Sequence, residues 1–258
     1  MIEAVILDWA GTAVDYGCFA PVQAFMDAFS HCGVPVTVEE TRGPMGMLKR
    51  DHIRAMLQTE RIAAAWQTAY GRAASEADVD AVYRQFEPKL FSILQNHAKP
   101  KPGVLEAVAT LRGMGLKIGS TTGYTDAMMQ VVVPRAAEQG YSPDFWTSPD
   151  RVGGQGRPFP YMVFENLKAL GVRTVKNALK IGDTVSDIKE GVNAGVWTAG
   201  VIEGSSQLGL SQEEYAALPN AEREARCHHA GQAFFDAGAH FVLQTLSELP
   251  QLIQTLGA

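Results

Sequence analysis

The chain has 258 residues, 46% hydrophobic and 19% charged, a balance that builds a packed core and excludes a disordered chain. A net charge of −6 gives no general attraction for nucleic acid or an anionic membrane, so any anionic substrate needs a local positive field. No run approaches the roughly 18 apolar residues of a membrane span, the first residues carry no basic-then-apolar leader, and three scattered cysteines (Cys18, Cys32, Cys227) support neither a disulfide framework nor a zinc site; a reducing cytoplasm is the expected setting.

The apolar run at 4–7 stops at Asp8 and is followed by Trp9-Ala10-Gly11-Thr12, the pattern of a buried parallel strand that delivers a side chain to a loop. From 20 to 97 the chain reads as consecutive helices, with turn signals at Gly33-Val34-Pro35 and Gly43-Pro44 and no strand. Lys99-Pro100-Lys101-Pro102-Gly103 ends that helical stretch. Alternation then sets in: helix 104–114, strand 116–119 running into Ser120-Thr121-Thr122-Gly123, helices 124–139 and 161–170, and strand 178–181 running into Gly182-Asp183-Thr184. Helix 185–194, strand 196–201, a polar loop at 204–212, helix 221–237 and strand 240–243 complete the pattern. Gly115, Gly140, Gly171 and Gly195 stand where helix C-termini favour glycine. The expected fold is α/β: a Rossmann-like parallel-sheet core from 1–19 and 98–258, with a helical cap domain, 20–97, inserted after the first strand. Such an insert lies over the carboxyl ends of the strands, where open α/β sheets bind their ligands.

Candidate chemistry gathers at those strand ends. Asp8, Asp183 and Asp187 offer hard oxygen ligands of the kind Mg2+ prefers, and Asp8 is also placed to attack phosphorus. Thr122 offers a hydroxyl to a phosphoryl oxygen, and Arg157, in Gly-Arg-Pro, a fixed positive charge. Read singly, Asp187 is equally well a helix N-cap and Arg157 a surface residue; the ordered set is what points to phosphoryl chemistry.

That order resembles the haloacid dehalogenase superfamily. Asp8-Trp9-Ala10-Gly11-Thr12 matches its Asp-x-x-Gly-Thr motif, Thr122 its second-motif hydroxyl, Arg157 its third-motif basic residue, and Gly182-Asp183-Thr184-Val185-Ser186-Asp187 its acidic fourth motif. The resemblance implies an aspartyl nucleophile and a helical cap. One position departs from it. Phosphatases of the superfamily carry a second Asp two residues after the nucleophile as general acid, and here Ala10 stands there, which cannot transfer a proton.

Lys49 supplies an alternative. It lies in Gly43-Pro44-Met45-Gly46-Met47-Leu48-Lys49-Arg50-Asp51-His52, at the start of an expected cap helix. A lysine imine with an aldehyde is an electron sink, so a C–P bond breaks without a proton going to oxygen. A solvated surface lysine is the plain alternative. This local pattern, with the Met-Gly-x-x-Lys-x-x-His run and Thr122-Gly123-Tyr124, resembles the phosphonoacetaldehyde hydrolase family. The resemblance implies Lys49 as imine lysine, Asp8 as phosphoryl acceptor, and Asp8, the Ala10 carbonyl and Asp183 around Mg2+, with Asp187 a further metal candidate. His52, three residues after Lys49, shares its helix face and would shuttle protons. Thr12, Cys18, Met45, Thr122, Gly123, Tyr124 and Arg157 are the substrate-binding candidates, although Met45 reads equally as core filler and Cys18 as a small buried residue. A phosphatase or phosphomutase, and a non-catalytic phosphoryl-ligand binder, are the rival readings. Trp66, Tyr70, Tyr83 and Phe86 either pack the cap's own core or form an intersubunit patch; the resemblance implies a homodimer through the cap.

Overall fold

Strand β1 (Ala4–Leu7) is four apolar residues, every one buried, and it takes a central place in the sheet. The structure, a computed structural model, describes residues 1–257. Five helices follow before residue 98: α1 (Phe19–His31), α2 (Val38–Arg42), α3 (Lys49–Gln58), α4 (Glu60–Tyr70) and α5 (Glu76–Leu94). The chain continues through α6 (Val104–Gly113), β2 (Lys117–Thr121), α7 (Asp126–Glu138), β3 (Phe145–Thr147), α8 (Tyr161–Ala169) and β4 (Ala178–Gly182). It ends with α9 (Val185–Ala194), β5 (Trp197–Val201), α10 (Gln212–Ala217), α11 (Asn220–Asp236), β6 (Phe241–Leu243) and α12 (Leu249–Gly257).

All strand pairs are parallel, in the order β3-β2-β1-β4-β5-β6. The chain moves outward from β1 through β2 and β3, then returns to β4 on the other side. This reversal makes the carboxyl ends of β1 and β4 a topological switch point, where a crevice opens for ligand. The expected α/β class holds. Strand β3 was not anticipated: it has three residues, two of them half-buried, too short for a continuous apolar run. Helix α7 starts at Asp126 because the Thr125 hydroxyl accepts from the Met128 N–H, which leaves Tyr124 in the preceding loop. Helices α10 and α12 also fall outside the expected pattern.

The elements between Phe19 and His97 are wholly helical, as the sequence implies. Their interior is aromatic: Phe25 of α1 stacks on Phe86 of α5 with ring centroids 4.1 Å apart, and Trp66 is fully buried. Tyr83 is half-buried, and Tyr70 is exposed but stacked on Trp66. The aromatic set therefore packs largely inward. One apolar cluster runs from Val5 and Leu7 beneath the site through Phe25, Ile53 and Phe86 of the insert, so the helical layer is seated on the sheet edge by burial of shared apolar surface. Phe86→Ala is expected to cost about 3–5 kcal/mol in urea unfolding, by lost transfer energy and the cavity left under Phe25. No helix among the described residues is long and apolar enough to cross a membrane.

Candidate active site

Strand register brings the site residues level. Leu7 is opposite both Ser120 of β2 and Ile181 of β4, so Asp8, Thr122 and Asp183 leave neighbouring strand ends together. The Asp8 N–H donates to the Ile181 carbonyl at 3.0 Å, which continues the ladder by one bond. Gly11 turns the chain with φ +89°, and a Cβ there would lie 2.1 Å from Asp183 Oδ2. A side chain at this position would displace the carboxylate, which accounts for a glycine at position 11.

Asp8, Asp183 and Asp187 are all buried, and one oxygen from each lies within 4.8 Å of the others. Their surroundings differ. Asp187 is saturated by protein donors: Oδ1 accepts from Lys180 Nζ at 2.7 Å and faces Arg157 Nη2 at 3.0 Å, while Oδ2 accepts from the Thr184 hydroxyl at 2.6 Å. Burial raises its pKa, but Arg157 and Lys180 outweigh that and hold it below the ordinary value. Thr184, not Asp187, is the N-cap of α9. Asp183 accepts one bond per oxygen, from the Thr12 hydroxyl at 2.8 Å and the Ser206 N–H at 2.7 Å. Burial first, then the carboxylates Asp8 and Asp187, pushes Asp183 well above its ordinary pKa; burial and Asp187 raise Asp8 as well.

Two buried carboxylates that resist ionising side by side are an electrostatic deficit that a hard divalent cation removes. The donor set therefore fits such an ion. Asp8, Asp183 and the Ala10 carbonyl are the residues that would hold it, while Asp187 is turned toward Arg157 and Lys180. Arg157 is buried at the centre of this network: Nη2 donates to Asp8 Oδ1 at 2.6 Å and to the Thr121 hydroxyl at 2.9 Å, and Nε donates to Glu190 Oε2 at 3.0 Å. Nη1 has one long contact, 3.5 Å to the Gly46 carbonyl, and so keeps spare donor capacity beside the cavity. The Thr122 hydroxyl accepts from the Tyr124 N–H at 3.0 Å, which leaves its own proton free to donate.

The insert closes the other side. Lys49, the first residue of α3, is buried, and its Nζ lies 5.0 Å from the Tyr124 ring centroid and 5.9 Å from that of Phe25. Burial is the main cause that holds its pKa below the ordinary lysine value; Arg157 adds to this, while Cys18, Asp8 and Asp183 oppose it. The loop before α3 comes down onto the core. A Cβ on Gly123 would meet the carbonyl oxygens of Gly46 and Met47 at 2.9 Å, so the close seating of insert on core requires glycine there.

Between the two halves lies a small cavity lined by Asp8, Ala10, Cys18, Pro21, Met45, Gly46, Lys49, Thr122, Gly123, Tyr124, Arg157 and Thr184. Cys18, Val22 and Met45 form a small apolar cluster on its wall. Of the residues expected from sequence, Thr12, His52, Asp183 and Asp187 do not line it. Thr12 is expected above as a substrate contact, but its hydroxyl is spent on Asp183, so it holds a carboxylate in place. The His52 ring is packed 4.0 Å from Phe25 with Nε2 on the Thr41 carbonyl at 2.8 Å, and burial, then Lys49, keeps it neutral. Because a carbonyl can only accept, Nε2 carries the proton and Nδ1, which has no protein partner, is the ring's remaining exchange atom. Sequence reasoning missed Pro21, Gly46 and Thr184 in the lining, and Thr121, Lys180 and Glu190 behind Arg157. Lys180 left a readable signal: a lysine inside an otherwise apolar central strand has to be paired.

A family model described as haloacid dehalogenase-like hydrolase matches residues 2–195. The phosphonoacetaldehyde hydrolase of Lysinibacillus sphaericus is 51% identical over 255 residues, covering 99% of this chain and 95% of that protein. A bifunctional phosphonoacetaldehyde hydrolase/aminoethylphosphonate transaminase of Clostridioides difficile is 50% identical over 98% of this chain, which spans 40% of that longer protein. Among solved structures, a phosphonoacetaldehyde hydrolase-like protein from Oleispira antarctica is 40% identical, superposes with a TM-score of 0.95, and is matched over 99% of this chain and 92% of its own. A parallel sheet with an aspartate at its switch point, facing a helical insert, is the architecture of that hydrolase class. The chain belongs to the haloacid dehalogenase-like hydrolases, and within them to the phosphonoacetaldehyde hydrolase family.

Proposed function

We propose that this chain hydrolyses the C–P bond of phosphonoacetaldehyde, with Mg2+, to give acetaldehyde and phosphate. The observation that carries the reading is the pairing of Lys49 and Asp8 across one cavity in which position 10 is alanine. A phosphate-ester hydrolase needs a proton for its leaving oxygen, and this site lacks the residue that gives it. A C–P hydrolase needs an electron sink, and a buried amine supplies one.

Lys49 attacks the aldehyde carbon, water leaves, and the imine carries the substrate on the insert. Nη1 of Arg157 and the Thr122 hydroxyl hold the phosphonate oxygens. Asp8 attacks phosphorus in line, and the C–P electron pair flows into the protonated imine to leave an enamine on Lys49 and a phosphoryl group on Asp8. Water then cleaves the acyl phosphate to release phosphate. The enamine takes a proton at carbon, and hydrolysis of the resulting imine frees acetaldehyde and Lys49. Asp8, Asp183 and the Ala10 carbonyl would hold the cation, which when bound would neutralise charge on the phosphonate and on ionised Asp8. His52, held by the Thr41 carbonyl and packed on Phe25, seats the helix that presents the lysine. Cys18, Met45 and Tyr124 shape the wall around the two-carbon chain. In this reading residues 20–97 act as the cap domain. A homodimer through the cap rests on family resemblance, with Tyr70 its exposed aromatic residue. Three unpaired cysteines support a reducing cytoplasm.

Direct comparison of phosphonoacetaldehyde with a simple alkyl phosphate tests the reading. Stoichiometric acetaldehyde and phosphate from the first, with no turnover of the second, is the expected result. Preference for the alkyl ester would replace it with a phosphatase.

Imine formation needs the neutral amine, which is populated above the lysine pKa. Since burial lowers that pKa from its ordinary 10.5, the rate at subsaturating substrate is expected to rise with pH along a limb centred below 10.5, then level off. A limb at the ordinary lysine value would show that burial does not prepare Lys49.

A further inference from the structure

Arg42, the last residue of α2, stands just before the loop that carries Met45 and leads to Lys49, and it reaches out of the insert to the core. Its Nη1 donates to the Gly17 carbonyl at 2.8 Å and to the carbonyl and hydroxyl oxygens of Ser206 at 3.2 and 3.3 Å. Ser206 in turn gives its N–H to Asp183 Oδ2 at 2.7 Å. A single guanidinium nitrogen thus joins the insert, the chain segment entering it, and the core loop that steadies a candidate cation ligand. Nε and Nη2 of the same side chain are buried with no partner, and the guanidinium lies 5.1 Å from the centre of the Phe19 ring. Two unsatisfied buried donors are a standing cost, so the position is not explained by comfortable packing of the arginine.

We propose that Arg42 is a positioning residue that couples seating of the insert to the cation site. With Arg42 engaged, the loop bearing Ser206 is fixed and its N–H holds Asp183 in the orientation set from the other side by Thr12. When the insert lifts, the loop loses that tie and Asp183 loosens. By linkage, a bound cation favours the seated insert by the same factor, and so brings Lys49 toward Asp8 when the phosphoryl half of the site is ready. The inference rests on Asp183 being a cation ligand.

The test is calorimetric titration of the full chain with MgCl2 alone, without substrate, for the parent, Arg42→Met and Arg42→Lys. Methionine keeps much of the stem over Phe19 and has no donor, and Mg2+ affinity is expected to fall about 10-fold, the range for loss of a group that orients a ligand. Lysine is expected to recover most of it, because one ammonium can serve the oxygens that Nη1 serves. If Arg42→Met does not fold by circular dichroism, Arg42→Leu, equally without a donor, takes its place with the same expectation. Mg2+ affinity equal to the parent in the donor-free variant, whatever its turnover, overturns the proposal, as does equal weakening in Arg42→Lys. A parent that takes up no Mg2+ sinks the cation reading itself, whereas a binding parent with an unchanged variant sinks the coupling alone.

Discussion

Asp8→Asn is expected to lower turnover of phosphonoacetaldehyde between roughly 10⁴- and 10⁶-fold, the loss seen when a covalent mechanism is deprived of its nucleophilic unit. The amide keeps the shape of the carboxylate and can still meet Arg157, so the fold is expected to survive. What disappears is the oxygen anion that attacks phosphorus. The variant would separate the two halves of the site: Lys49 still forms its imine, so substrate remains trappable on the protein while no phosphate is released. If phosphate release fell by less than tenfold, phosphorus would have to be attacked by some other group, such as water, and Asp8 would be reduced to a cation ligand.

Lys49→Met is expected to abolish acetaldehyde production to a similar depth, about 10⁴-fold or more, because no other amine in the cavity lining can form the imine. Its effect on stability runs the other way. A lysine whose pKa is lowered by burial destabilises the fold when charged, most fully below its folded pKa, where the unfolded chain holds the proton freely. Methionine removes that cost at nearly constant length, so the variant is expected to melt at or above the parent temperature. Loss of activity together with retained or raised stability is the mark of a residue kept for chemistry. A large fall in melting temperature would instead assign Lys49 a packing role.

Much of this was legible in the sequence for a physical reason. Parallel strands buried on both faces are continuous apolar runs, and each run that ends in a polar residue reports where a side chain is delivered to the sheet edge. Asp8, Thr122 and Asp183 were found that way, and the structure brings all three to the switch point. The register between β1, β2 and β4 was not readable, because parallel pairing leaves no local trace. Residues that act through others were also hidden. Glu190 sits in an amphipathic helix among other charged side chains, and nothing in its surroundings marks it as the partner of Arg157. Thr12 was read as a substrate contact because it belongs to the motif; its actual partner, Asp183, lies at the other end of the core sequence and is visible only in the fold. His52 shares a helix face with Lys49, as the spacing requires, yet the ring turns into the aromatic interior instead of the cavity. Helical periodicity fixes the face of a residue but not which neighbour its polar atoms find.

The most direct test of the account is borohydride reduction of the protein in the presence of phosphonoacetaldehyde and Mg2+, followed by peptide mapping. The account predicts substrate-dependent, irreversible inactivation with the two-carbon adduct on Lys49. Full activity after borohydride and substrate, or label on any other lysine, would contradict it.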